Sequence, residues 1–219
     1  MKKYQHLILY ICIIFFTSTA AAIEGAVEYN SVNIDYDNLN ASNYIKAADN
    51  FLYKAELKKQ PEDKVKFYYG EALGAYITAT EINPQLIDLY GKIGYIYGKL
   101  KKFGLAKAYL DKGLNMDIKN PNINYYYGVV CADMENYNCA LKYYKNAEKL
   151  NYKDKYDINI KLGETNEKLG DLEKAKIAYT KALAFKPDDI VLKDKITKLD
   201  ELKYIDSVYY YRKKTYFYD

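Results

Sequence analysis

Few side chains in this chain could do chemistry, and their types exclude more than they offer. The sole histidine is His6, and it lies in an N-terminal segment that reads as an export signal, so the mature chain holds none. That removes imidazole general-base catalysis, Ser-His and Cys-His nucleophile pairs and the commonest zinc sites. Asp and Glu total 29, so residue type alone does not exclude a carboxylate-pair mechanism, but they scatter along predicted helix faces, where a solvated surface is their role. No phosphate-cradling glycine loop is present, because Gly94, Gly128 and Gly163 recur at helix-packing positions. No enzyme activity, no cofactor and no metal site is expected. Two cysteines remain once the signal is removed, Cys131 and Cys139. They offer either a disulfide or two small buried thiols. In an exported chain with only this pair, the disulfide is the expectation.

The export reading rests on the first residues. Lys2 and Lys3 precede an apolar run over residues 7–16, a polar-to-small stretch follows over residues 17–22, and Ala20 and Ala22 fit the small-x-small cleavage rule. The run is shorter than the about 20 residues a spanning helix needs. Cys12 stands inside it after bulky Ile11, which argues against a lipoprotein signal. The alternative is an uncleaved anchor through residues 7–22. The alanine site and Glu24, which ends the apolar stretch, favour cleavage before Ile23 and a periplasmic or secreted product. Without Lys2 and Lys3, the 33 basic residues fall to 31 against 29 acidic ones, a net charge of +2. The charges are interspersed and Arg212 is the only arginine, so nucleic acid is not an expected partner. The 28 tyrosines accompany much Lys, Asn and Ile, the signature of AT-rich coding. Only their positions carry an argument.

Those positions repeat. Gly94, Gly128 and Gly163 are 34 and 35 residues apart, and Ala72, Ala106, Ala140 and Ala175 are 34, 34 and 35 apart. Four residues after each Ala stands a large residue (Tyr76, Leu110, Tyr144, Tyr179), and three further on a small one (Ala79, Gly113, Ala147, Ala182). Residues three and four apart share a helix face. Each period therefore predicts two helices whose small residues let the backbones approach while the large ones fill the space beside them. One such pair cannot bury its apolar face alone, and stacked neighbours do it together.

With these residues in register, the chain resembles a tetratricopeptide repeat protein. One unit reads Tyr90, Ile93, Gly94, Tyr97, Ala106, Leu110, Gly113. The next reads Asn124, Tyr127, Gly128, Cys131, Ala140, Tyr144, Ala147. The third reads Asn159, Leu162, Gly163, Asn166, Ala175, Tyr179, Ala182, with Pro187 behind it. Asn124, Asn159 and Asn166 depart from the large residues usual there. The resemblance implies an all-α, right-handed superhelical solenoid of about four helix pairs with a C-terminal capping helix. The expected organisation is a signal at 1–22, a flexible lead-in at 23–41, repeats at 42–84, 87–120, 121–155 and 156–189, a capping helix at 190–206 and a Tyr-rich tail at 207–219. The first repeat is irregular: Ala48 and Ala72 are 24 residues apart where later units use 12. Its helices are expected to be longer, either as a docking ridge or as the ordinary irregularity of a terminal repeat, and the second reading is preferred.

In this family partners lie along the concave face formed by the first helix of each pair. Mapped onto this sequence, the groove residues are Ile45 and Asp49, Gly91 and Tyr95, Tyr125 and Val129, Ile160 and Glu164. The Lys and Asn clamp that some members use for a terminal carboxylate is missing. The small residues Gly91, Gly98 and Ala132 are expected to leave room beside Tyr95 and Tyr125 for an apolar or aromatic segment of a protein partner. The competing reading is that Tyr95 and Tyr125 pack between helices. The tail, with Tyr209, Tyr210, Tyr211, Tyr216, Phe217 and Tyr218 around Arg212, Lys213 and Lys214, is left open between folding back, partner binding and membrane contact. Function is thus expected to be that of an exported scaffold in an envelope assembly. The alternatives are an adhesive protein working through its tail, or an accessory subunit of an envelope enzyme or secretion apparatus. The first of these expectations is directly testable: N-terminal sequencing of protein from the native cell should read from Ile23 or within two residues of it, and recovery of intact Met1 from a soluble cytoplasmic fraction would end the export reading.

Overall fold

The computed structural model describes residues 40–201. The signal segment, most of the lead-in and the tail lie outside the described residues. Eight helices run in order: α1 (Ala41–Glu56), α2 (Glu62–Ile82), α3 (Ile87–Lys99), α4 (Phe103–Met116), α5 (Pro121–Asp133), α6 (Tyr137–Lys149), α7 (Lys155–Lys168) and α8 (Leu172–Phe185). A ninth, α9, occupies residues 190–201, and no strand occurs among the described residues. Successive helices pair as antiparallel hairpins, α1 with α2 through α7 with α8, and the first helix of the second hairpin, α3, also packs along that of the third, α5. The result is an all-α solenoid of four helix pairs closed by α9.

Short-range chemistry sets the helix ends. Asn120, Asn136, Asp154 and Asp171 each accept a backbone N–H three residues on, from Ile123, Cys139, Asp157 and Lys174, which satisfies one of the orphan donors of the first turn. Pro121 follows Asn120 at the first helical position, where its missing N–H costs nothing. The turns inside the second, third and fourth hairpins share one device. The N–H of Lys102 reaches Tyr97 O while Lys101 reaches Gly98 O, and Asn136 with Glu135 and Asp171 with Gly170 repeat the pattern. The residue in the middle has positive φ, 58° at Lys101, 58° at Glu135 and 78° at Gly170. Each helix therefore stops on a left-handed residue that returns two carbonyls to hydrogen bonding.

Packing between paired helices follows size. Gly94 lies against Leu110, Gly128 against Tyr144 and Gly163 against Tyr179, and all three large partners are buried. In the first hairpin Ala48 is wholly buried and Tyr76 donates its hydroxyl to Asp49. That hairpin is longer than the rest, with 16 and 21 residues in its helices against 13 or 14 elsewhere. Tyr53, Leu57 and Phe67 stay exposed on it.

The three asparagines at packing positions each donate to the preceding turn of their own helix. Asn124 donates to Asn120 O at 2.8 Å, Asn159 to Lys155 O at 2.7 Å and Asn166 to Leu162 O at 2.7 Å. Asn124 also accepts from Asn146 at 3.4 Å, whereas Asn159 Oδ1 is buried with no partner. An amide bonded back to the preceding turn takes the place of a large side chain.

The size rule makes a prediction with an internal control. A Cβ on Gly128 would stand 2.5 Å from the Tyr144 ring, so Gly128→Ala should lower unfolding stability by about 1–3 kcal/mol. Gly104 has nothing within 4 Å of its Cβ position, and Gly104→Ala should raise stability by about 0.5 kcal/mol. Chemical denaturation of both variants checks the pair, and equal effects would contradict the packing account.

Candidate functional site: the concave face

The groove expected from the sequence lies on the first helices of the hairpins, α1, α3, α5 and α7. Its centre is built from tyrosine rings and carboxylates. Tyr95 of α3 donates its hydroxyl to Glu56 of α1 at 2.6 Å. Its ring lies 5.4 Å from that of Tyr126 in α5, tilted by 44°. Lys99 stands 5.2 Å above the Tyr95 ring and pairs with Asp133 at 2.9 Å. Asp49 of α1 accepts from Lys92 of α3 at 2.5 Å. Asp88 accepts from the amides of Asn120 at 2.8 Å and Asn122 at 3.2 Å. Hydroxyl-to-carboxylate bonds and lysine pairs thus cross from α1 to α3 and from α3 to α5.

Electrostatics at this centre are negative. Burial raises the Tyr126 hydroxyl to about 12, and Glu56, Asp49, Asp88 and Asp157 add to the rise. Each carboxylate repels the phenolate form. Burial also pushes up Asp157, against the hydrogen bond from Tyr125 and the charge of Lys161, with Asp154 and Glu164 adding to the rise. Burial and the bond to Glu56 push the Tyr95 hydroxyl well above the usual phenol range.

The predicted groove residues divide between surface and interior. Asp49, Tyr95 and Glu164 reach the surface, with Glu164 paired to Lys161 at 3.1 Å. Ile45 packs against the main core, and Ile160 against a separate cluster holding Tyr179, Ala175 and Leu199. Val129 and Tyr125 are 6% and 9% exposed. Tyr125 stacks on Tyr152 with ring centroids 4.3 Å apart and planes 5° apart, and its hydroxyl meets Asp157. The room expected beside Gly91 is filled, since a Cβ there would lie 2.8 Å from the Tyr126 ring, and the room beside Gly98 is filled by Val130 at 2.7 Å. Tyr126 is the aromatic that the repeat spacing did not single out. It is partly exposed between Tyr95 and Tyr125. A signal for it existed in the two glycines, Gly91 and Gly98, which mark where side chains of the next repeat enter.

Two other places could hold chemistry. Cys131 and Cys139 face each other across the α5–α6 turn with Cα atoms 5.7 Å apart, a spacing that suits a disulfide without moving the backbone. An open depression of about 600 Å³ lies on a loop edge, between Tyr152, Tyr156 and Phe185 and the 153–155 loop. Among the described residues no group of three or more His, Cys, Asp or Glu is placed to hold a metal ion. No helix among them is long and apolar enough to cross a membrane.

The two tyrosines of the predicted groove should therefore behave differently. Replacing stacked, buried Tyr125 with Ala should cost about 3 kcal/mol or more of stability, while Tyr95→Ala, which removes a partly exposed ring and one surface hydrogen bond, should cost about 1 kcal/mol. Thermal melting of the two single variants measures the contrast, and a Tyr125→Ala protein that melts like the wild type would return that ring to the groove.

Comparison with known proteins supports the fold. Residues 87–119 and 156–189 match the family model described as tetratricopeptide repeat. No curated protein matches the chain. Among solved structures, it is similar to the MamA protein, at 22% identity over 79% of this chain and 88% of that one, with a TM-score of 0.55. It is also similar to pilF of Pseudomonas aeruginosa, at 18% identity over 78% and 73% of the two chains, TM-score 0.63. PilW, described as a widely conserved type IV pilus biogenesis factor, matches at 21% identity over 80% and 76%, TM-score 0.58. These identities carry the fold and nothing finer. Residues 87–119 and 156–189 are tetratricopeptide repeats, and the chain that holds them is a right-handed tetratricopeptide-type α-solenoid.

Proposed function

We propose that this chain is an exported scaffold that binds a segment of a partner protein along its concave face, as part of a cell-envelope assembly. The observation that carries this reading is the Tyr95 and Tyr126 pair, partly open to solvent and flanked by Glu56 and Asp88. Large amphipathic rings set among polar groups are the usual anchors of protein recognition, because they bury much area while ordering few torsions. The carboxylates define the partner further: an aromatic or apolar segment with basic flanks. Export is supported by Lys2, Lys3, the apolar run and Ala20 and Ala22. The paired cysteines suit an oxidising compartment, so non-reducing peptide mapping should recover Cys131 and Cys139 in one linked fragment. Two proteins of similar fold are pilF and the pilus biogenesis factor PilW, which makes an envelope assembly the first place to look for the partner.

The reading predicts that the double variant Tyr95→Ala, Tyr126→Ala captures its partner from an envelope extract at least ten-fold less than the wild type. Removing two anchors at a protein interface costs on the order of 2 kcal/mol or more. The variant must keep its helical circular dichroism for the comparison to count. Equal capture by a folded double variant would remove the concave face as the binding surface, and loss of capture only when residues 207–219 are deleted would favour adhesion through the tail.

A further inference from the structure

The first hairpin reaches beyond its neighbours on the edge where the turns within hairpins lie. α2 starts ten residues before Ala72, whereas α4 starts three before the corresponding Ala106. The seven extra residues amount to about 10 Å of helix. α1 likewise runs eight residues past Ala48, and α3 five past Gly94. This extension is built rather than loose. The Phe51 and Tyr68 rings stack at 6.4 Å, with Lys54 at 5.5 Å from one centroid and 5.9 Å from the other. Gln60 donates its amide to the carbonyls of Lys54 and Leu57, and Lys59 turns the chain at a φ of 64°. α1 therefore ends in a capped, left-handed turn.

The tip presents apolar and basic groups together. Leu57 is 45% exposed, Phe67 48%, and Tyr53, one turn before Leu57, 67%. Beside them stand Lys58, Lys59 and Lys64, all exposed and none in an ion pair with a described residue. Lys66 pairs with Glu62 at 2.8 Å. That bond holds the Glu62 carboxyl below its usual range, and Lys101 of the neighbouring turn adds to the effect, so a further exposed lysine stands alongside. Residues 57–67 hold four lysines against Glu62 and Asp63, and Lys101 and Lys102 raise the count to six against two. The corresponding turns of the third and fourth hairpins, residues 134–136 and 169–171, hold no cation. The basic character belongs to the projecting end.

Scattered apolar side chains are ordinary on a protein surface. Here they share a protruding end with lysines. The chemistry that satisfies both is a lipid surface with anionic headgroups, where aromatic and aliphatic side chains enter the interfacial layer and lysines stay among the headgroups. Shape and charge type agree. A protruding tip suits a surface that yields, and lysine, a strongly hydrated point charge, suits a diffuse layer of charge better than one fixed acid. We propose that the end of the first hairpin, Leu57 and Phe67 with Lys58, Lys59, Lys64 and Lys101, rests on an anionic membrane surface. Tyr95 and Tyr126 are not part of this tip, so the contact leaves them free and does not depend on what they bind.

The test exploits composition. The chain contains no tryptophan, so a single introduced one reports its own surroundings. Phe67→Trp, a conservative change at an exposed site, is made in the mature chain of residues 23–219. Val191→Trp, 80% exposed at the far end of the solenoid, is the reference. Vesicles of phosphatidylglycerol and phosphatidylcholine should shift the Phe67→Trp emission to the blue, and vesicles of phosphatidylcholine alone should not. Val191→Trp should stay unshifted in both. Sedimentation with the mixed vesicles should fall at least ten-fold in the variant Lys58→Glu, Lys59→Glu, Lys64→Glu, and also in about 0.5 M salt. An unshifted Phe67→Trp, or an equal shift in Val191→Trp, would overturn the proposal. Sedimentation that survives the lysine changes and is lost with residues 207–219 would move the contact to the tail. Capture of an envelope protein that needs these lysines, by a chain that ignores both vesicles, would make the tip a protein contact. Either result ends the membrane reading.

Discussion

Everything in this solenoid depends on one steric pairing, a missing or minimal side chain on the first helix of a hairpin facing a large ring or branched chain on the second. Gly94 meets Leu110, Gly128 meets Tyr144 and Gly163 meets Tyr179, each at a distance that leaves no space for one more carbon. Because the glycine has no Cβ, the partner's side chain fills the space a Cβ would need, and the two helices are drawn together. The pairing recurs about every 34 residues, so each hairpin has nearly the same shape and each can stack on the next in nearly the same way. A solenoid follows from repetition of one contact.

Stacking then builds the shared face of the first helices as a by-product. Small residues that permit close approach within a hairpin leave adjoining positions free for contacts between hairpins. Gly91 admits Tyr126, and Gly98 admits Val130. What remains at the surface is polar and crosses between helices: Tyr95 to Glu56, Lys92 to Asp49, Lys99 to Asp133. Exposed ion pairs of this kind add little stability. Their larger effect is to fix the positions of the side chains that make them, Tyr95 among them.

Carboxylates also act on the ring between these helices. Burial of Tyr126 weakens solvent screening, so its phenol is raised by the carboxylates Glu56, Asp49, Asp88 and Asp157.

The sequence by itself determined the helix pairs, their register and the small-to-large packing, because each of these is local or strictly periodic. Gly128 and Tyr144 are sixteen residues apart and face each other from the two helices of one hairpin, so no distant information is needed to pair them. Asparagines at packing positions were legible as departures, though not their solution, a hydrogen bond to the preceding turn. Which tyrosine faces the groove was decided only by the tertiary structure. Tyr125 and Tyr126 are neighbours in sequence and identical in type. Tyr152, from the loop entering the next repeat, stacks on Tyr125 and takes it into the interior, leaving Tyr126 beside Tyr95. That choice depends on the rotation of each hairpin against the next, a quantity set by the sum of many side-chain volumes and carried by no single spacing in the chain.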